Sequence, residues 1–230
     1  MKTLCTARLI LRPWTLEDAP DMYDYARTPN VGPAAGWKPH ESIEETQQVL
    51  RELFLPHDDN FAMQRKDDGR VIGSIGLHED QSRPKGLPVR MLGYVMNEKD
   101  WGQGFMHEGC MAALEYAFAE LGVELMTVFH YPWNERSRRV IERLGFRPEG
   151  LRRMAGRNYD GRIEDEMAYS MTRAEFVTMV NRAFGYTEVG ANPFTDVPNN
   201  AWYAEDIRIA SRVSIRKISS LAATGCLCIA

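Results

Sequence analysis

The chain reads as a mixed α/β domain: an α+β-type, mostly antiparallel sheet flanked by helices, with a short helical extension at its C-terminal end. Three observations predict this. Up to residue 96, short alternating apolar runs are joined by turn residues with no helix between the hairpin strands. From residue 97 to 171, strand and helix signals alternate. After residue 172, strand signals stop. The early strands lack helical crossovers, which excludes a doubly wound dinucleotide fold.

Residues 6–12 alternate and form the first predicted strand. Thr15-Leu-Glu-Asp18 opens a short helix over 18–26, and residues 28–39, rich in Pro and Gly, form a loop. Ser42-Ile-Glu-Glu45 has capping-box spacing, and Ile43, Val49, Leu50, Leu53 and Phe54 share one face, so a helix runs to about residue 55. Residues 61–65 and 71–77, joined through Asp67-Asp68-Gly69, predict a hairpin, and residues 89–96 a further strand. The strongest helix covers 108–121 and stops at Gly122. Residues 125–131 form a strand and 137–144 a short helix ended by Gly145. Residues 147–154 and 164–171 complete the sheet, with 156–161 as their turn. Thr172-Arg-Ala-Glu175 caps a helix to residue 184, residues 185–200 are loop, and 202–213 form a last helix. The organisation is therefore a domain over 1–172 and a helical tail over 173–230.

Apolar residues make up 44% of the 230-residue chain and charged residues 26%, a globular composition. A net charge of −4 gives no general attraction to nucleic acid or to an anionic membrane, so neither is expected as a partner. There is no spanning apolar run and no signal-like N-terminus, and a cytoplasmic location is expected. Cys5, Cys110, Cys226 and Cys228 show neither disulfide-framework nor zinc-site spacing, so no metal is expected. Cys110, within the long helix, reads as a core residue.

The chemistry concentrates in a strand–loop–helix unit. Gly102 and Gly104 bracket Gln103 just before the long helix. Glycines let a ligand approach backbone amides, and a helix start adds free donors and partial positive charge. Phosphate or pyrophosphate oxygens fit such a place. The Walker and dinucleotide fingerprints are both absent.

A second unit follows. Trp101-Gly102-Gln103-Gly104-Phe105, Asn134-x-x-Ser137 and Leu144-Gly145-Phe146 occur in the order strand, loop, helix, strand, turn, helix. In this the chain resembles the GNAT N-acetyltransferases, in particular the ribosomal-protein alanine acetyltransferase (RimJ/RimL-like) subgroup. Residues 7–14 and 37–45 and the hairpin at 71–77 add to the resemblance, which covers residues 6 to 172.

The resemblance implies the GNAT acyl-CoA N-acyltransferase fold and acetyl-CoA as co-substrate. Backbone amides over Trp101, Gly102, Gln103, Gly104, Phe105, Met106, His107 and Glu108 would hold the pyrophosphate. Tyr94, Val95 and Met96 would pair with the pantetheine arm, and Asn134 would meet the pantetheine or thioester region. Many relatives use a tyrosine as general acid where this chain has Ile141, so Ser137 is the candidate acid. Met106 stands where the family has Gly or Ala, which would crowd the helix start. Arg136, Arg138 and Arg139 are candidates for the 3′-phosphate of CoA.

Attack by an amine needs a proton acceptor. Glu79, with His78 as second choice, is the candidate base at the end of the third strand. Trp37 and His40 lie where relatives bind the acceptor. The implied reaction is acetyl transfer by direct attack of a primary amine, either a protein N-terminus or a small molecule, in an enzyme that relatives suggest is a homodimer. Two alternatives stand beside it. One is a catalytically weak CoA-binding or sensor protein, motivated by Met106 and the missing tyrosine. The other is a cell-wall-binding module, because residues 171–185 and 194–207 resemble pieces of S-layer homology repeats.

Overall fold

The structure, a computed structural model, describes residues 2–190, 197, 198 and 200–213. Eight strands form one sheet in the order β1-β2-β3-β4-β5-β6-β8-β7. They are β1 (Leu4–Cys5), β2 (Leu9–Arg12), β3 (Asn60–Arg65), β4 (Val71–Glu79), β5 (Val89–Met96), β6 (Leu125–His130), β7 (Arg147–Arg157) and β8 (Ile163–Thr172). Every neighbouring pair is antiparallel except β5 and β6, which are parallel and joined by the crossover helix α3 (Phe105–Ala119). This is the mixed, mostly antiparallel α/β fold that the alternation pattern predicts.

Two apolar layers enclose the sheet. On one face α3, α4 (Glu135–Arg143) and α5 (Arg173–Phe184) cover Leu9, Phe61, Ile75, Met126 and Tyr169. On the other, α1 (Ala19–Ala26) and α2 (Ile43–Val49) pack Tyr25 and Leu50 around Trp14, Ala62 and Val71. Removing residues of this size from water stabilises by about 1.5–3 kcal/mol each, which is why both faces are covered.

The local signals behave as their chemistry dictates, with three differences. The first predicted strand, 6–12, shortens to β2, and β1 forms before it, because the Thr6 hydroxyl accepts from Leu9 N–H (2.9 Å) and donates to the Glu108 carboxylate (2.6 Å), turning the chain between β1 and β2. The second helix is α-helical only to Val49 and continues as a π-turn over Leu50–Phe54. The long helix begins at Phe105, not 108, because Gly104 caps it in the left-handed region at φ 82°. The Thr172–Glu175 cap forms as read, and Thr15–Asp18, read as a helix start, closes a capping box. At Ser42 the hydroxyl accepts from Glu45 N–H and caps α2, but the Glu45 carboxylate accepts from Glu41 N–H, so the box read there does not close.

The C-terminal helices continue the main core. Phe176 and Val180 of α5 belong to the α3-side cluster, and Phe176 packs against Phe118 at 5.3 Å. α6 (Ala204–Val213) lies on α5, with Thr178 donating to Asp206 (2.8 Å) and Ile207 packed on Val177. Within the second S-layer-like stretch, residues 194–196 and 199 lie outside the described residues, as do residues 214–230.

Candidate active site

β5 and β6 pair over only three residues, Val89↔Leu125, Arg90↔Met126 and Met91↔Thr127, and then part. Beyond Met91, β5 keeps its bonds to β4, and β6 keeps its bonds to β8. The result is a fork in the middle of the sheet. Its closed end lies at Met91/Thr127 and it opens toward Met96 and His130. Parted strands leave backbone groups that an extended ligand can bond.

The glycine loop stands at the mouth of the fork. Gly102 and Gly104 have φ of 78° and 82°, conformations that favour glycine, and a side chain at Gly102 would project into open space. The amides of residues 102–107 meet no acceptor among the described residues. The Glu108 amide, in contrast, donates to Gly104 O (3.1 Å). Its carboxylate is consumed by Thr6 and Arg8, so Glu108 ties α3 to the β1–β2 turn and drops out of the predicted binding set. Phe105 and Met106 turn their side chains inward at 5% exposure each, Phe105 beneath Arg8 and Met106 with its sulfur 3.5 Å from Cys110. Met106 therefore does not crowd the loop. The cradle has the free donors and the space that a pyrophosphate requires.

Trp101 closes one side of the mouth. Its indole N–H donates to Met96 O (3.0 Å), and the Arg136 guanidinium lies 4.1 Å over its ring. Arg138 is paired with Glu135 and Glu142 on its own helix, so of the three arginines it is the one already neutralised. Beside the loop, burial and then the nearby Arg143 lower the pKa of His107, keeping it neutral near pH 7.

α4 starts at the other side. Asn134 is its N-cap, its side-chain oxygen accepting from Ser137 N–H (3.1 Å) while its amide donates to Ala34 O (3.4 Å). Ser137 is thus not the cap, and its hydroxyl is 2.8 Å from that of Tyr94 on β5. This contact spans the fork. Burial raises the Tyr94 pKa, so the phenol keeps its proton. Ile141 is fully buried in the α3-side core.

The candidate bases separate. Glu79 is exposed and opposite Arg90 at the closed end of the fork, away from the loop. His78 lies across β4 and β5. A side chain at Gly76 would overlap its ring, and one at Gly93 would come within 3.0 Å of Nε2. Its Nδ1 is 3.2 Å from Asp59, and its Nε2 faces Gly93.

In the loop over the fork, Trp37 packs over Gly32 and beside His40. His40 is 8% exposed and bonds Thr46 (2.8 Å), whose own hydroxyl donates to Ser42 O. The backbone N–H of His40 also donates to Ala26 O (3.1 Å), so His40 ties α1 to α2. The loop meets the site through Ala34 and through Gly36, where a Cβ would lie 2.9 Å from the Tyr131 hydroxyl.

Sequence reasoning missed three residues here: Tyr94 as a hydroxyl partner, Tyr131, and Glu166. Tyr94 lies on β5 beside the fork, Tyr131 directly follows β6 and Glu166 lies on β8, placements that motif spacing does not reveal. Burial raises the Glu166 pKa, although Arg152 donates to Oε2 at 2.6 Å.

Comparison with known proteins agrees with this geometry. Residues 8–147 match the Acetyltransferase (GNAT) domain family. The uncharacterized N-acetyltransferase p20 of Bacillus licheniformis is 29% identical over 184 residues, covering 76% of this chain and 99% of that protein. A GNAT-family acetyltransferase structure from Bacillus anthracis superposes with a TM-score of 0.67 at 22% identity, covering 75% of this chain and 99% of that one. Ribosomal-protein-S5-alanine acetyltransferase from Vibrio fischeri superposes at 0.60 with 21% identity, covering 75% and 97%. Enzymes of this family move an acyl group from a CoA thioester. The chain belongs to the GNAT acetyltransferase family and is an acetyl-CoA-dependent N-acetyltransferase acting on an amine.

Proposed function

We propose that this enzyme acetylates a primary amine, a protein N-terminus or a small amine, by direct attack within the β5–β6 fork. The observation that carries this is the fork itself, with unbonded loop amides at its mouth and a hydroxyl pair across it. On this reading, amides 102–107 hold the pyrophosphate of acetyl-CoA, and the backbone of Tyr94, Val95 and Met96 pairs with the pantetheine arm. Asn134 positions Ser137 by capping α4. The Ser137 hydroxyl, backed by Tyr94, gives its proton to the departing sulfur and is reprotonated through the phenol. Direct attack fits the burial of Cys110, which at 0% exposure is out of reach as an acyl carrier.

A protein N-terminus as acceptor is supported by the likeness to a structure described as a ribosomal-protein-S5-alanine acetyltransferase. The RimJ/RimL-like subgroup motifs in this chain support the same acceptor. The weakly catalytic reading loses its main support, since Met106 faces the core.

Calorimetric titration of acetyl-CoA into the wild type and Gly104→Glu tests the cofactor site. Saturable binding is expected for the wild type. Loss is expected for the variant, whose carboxylate opposes the pyrophosphate and whose φ of 82° strains any side chain. Equal binding by a folded Gly104→Glu protein would remove the loop from the site.

A further inference from the structure

Three features single out Glu166. It is 7% exposed on the sheet face opposite α3, yet only one of its oxygens is engaged: Arg152 bonds Oε2, and Oε1 has no partner among the described residues. Oε1 is not sealed from its surroundings: the buried side-chain atoms without a partner among the described residues include Arg152 Nε but not Oε1, so this oxygen is open to a ligand. Oε1 and the Tyr131 ring converge on one spot: a Cβ at Gly156 would lie 2.9 Å from Oε1 and 3.4 Å from Tyr131 Cε1. Tyr131 directly follows β6 at the open end of the fork, and its carbonyl accepts from Asn134 N–H (2.7 Å) at the start of α4.

The β7 strand is distorted at the same place. Its register with β8 shifts between Arg152 and Gly156, and within the shift Met154 has φ 51°, held by its N–H donating to Asp165 (2.8 Å). Such bulges re-aim neighbouring side chains. Here Arg152, with Phe129 beneath its guanidinium at 5.6 Å, faces Glu166 from one side, and Gly156 leaves Oε1 uncovered on the other.

The geometry points to Glu166 as the group that takes the proton from the acceptor ammonium, with Arg152 as its positioning residue and Tyr131 as the wall that orients the amine. This rests on the acetyltransferase reading above. The step balances simply. A proton passes from R–NH3+ to Oε1, giving R–NH2 and the neutral acid. The nitrogen lone pair forms the C–N bond as the C–S bond breaks, the electron pair leaving on sulfur. Sulfur takes the Ser137 proton, the second amine proton restores that hydroxyl through Tyr94, and Glu166 loses its proton to solvent.

The charges around Glu166 fit this role. Arg152 on β7 favours its ionised form, while Asp80 beyond β4 opposes it and burial opposes it most. Tyr131 beside it has its own pKa raised by burial and by Glu166 and Glu164. A carboxyl raised toward neutrality is a better base than a solvated one. Raising also has a consequence for stability. A folded-state pKa above the unfolded value contributes stability below the unfolded pKa, and that contribution is lost as pH rises through the folded pKa.

The test compares wild type with Glu166→Gln, Glu166→Asp and Arg152→Gln. Release of CoA thiol from acetyl-CoA is followed with hexapeptides bearing free N-termini and with spermidine, from pH 6 to 9. Glu166→Gln is expected to bind acetyl-CoA like the wild type by calorimetry. Its kcat/KM at pH 7 should fall at least about 100-fold and recover as pH rises and the free-amine fraction grows. Glu166→Asp should recover part of the activity, and Arg152→Gln should shift the acidic limb of the pH profile upward. Independently of turnover, Glu166→Gln should melt no lower than the wild type at pH 8. Wild-type kcat/KM and an unchanged acidic limb in Glu166→Gln would overturn the assignment alone. No transfer by the wild type to any amine would overturn the acetyltransferase reading and this assignment with it.

Discussion

Ser137 opens the helix predicted over 137–144, a position where a serine also makes a ready helix cap. In three dimensions Asn134 takes that task, which frees the Ser137 hydroxyl for Tyr94 at 2.8 Å. The division of labour yields a prediction at this scale. Ser137→Ala should lower kcat by about 10²-fold, within the range for a positioned proton donor. KM for acetyl-CoA and the melting temperature should change little, because the cap stays in place. Tyr94→Phe should give a smaller loss, since the serine hydroxyl survives without its relay. Steady-state kinetics on the two variants and their double mutant decides. Additive effects would show that the two hydroxyls act separately and would sink the relay. Met106 makes the opposite point: its identity suggested crowding, and its direction removes it.

At the scale of elements, α3 and α4 start at the mouth of the fork and each exposes an N-terminal turn to it. α3 begins on a left-handed glycine with no side-chain cap, so its first amides stay available to a ligand. α4 is capped by Asn134, which spends one of its free N–H groups on stability. Asn134→Ala should therefore cost about 1 kcal/mol of stability. It should also loosen the Ser137–Tyr94 contact and lower kcat further than the stability loss explains. Denaturant melts alongside kinetics measure both; a stability loss with unaltered kcat would make Asn134 a cap and nothing more. The caps at Thr15, Ser42 and Thr172 were legible because their bonds are local. The π-turn at Leu50–Phe54 was not, since an i→i+5 bond leaves no mark on apolar periodicity.

For the whole molecule, the fork exists because β8 pairs with β6 on one side while β4 holds β5 on the other. The sheet is pulled open between two well-bonded halves, and α3 packs behind both. α5 strengthens this frame: Phe176, 4% exposed, packs against Phe118 at the end of α3. Phe176→Ala should destabilise by about 3–5 kcal/mol through the cavity it leaves. A thermal melt tests this directly. An unchanged melting temperature would mean that the helical tail is peripheral to the catalytic core, as a separate wall-binding module would be.

The sequence by itself determined the fold class, the crossover helix, the glycine loop and the asparagine–serine turn. Each rests on local chemistry: side-chain periodicity, caps, and backbone angles that favour glycine. It also offered Ser137, Glu79 and His78 as candidates, since motif spacing and strand ends can be read along the chain. The tertiary structure decided which side chains meet. It turned Met106 and Ile141 into the α3-side core, bonded His40 to Thr46, spent Glu108 on the β1–β2 turn, and left Glu79 at the closed end of the fork. It brought Glu166 of β8, Arg152 of β7 and Tyr131, just past β6, together. Such contacts depend on strand order, register and a bulge, which are set by packing over the whole sheet and leave no periodic trace in any one segment.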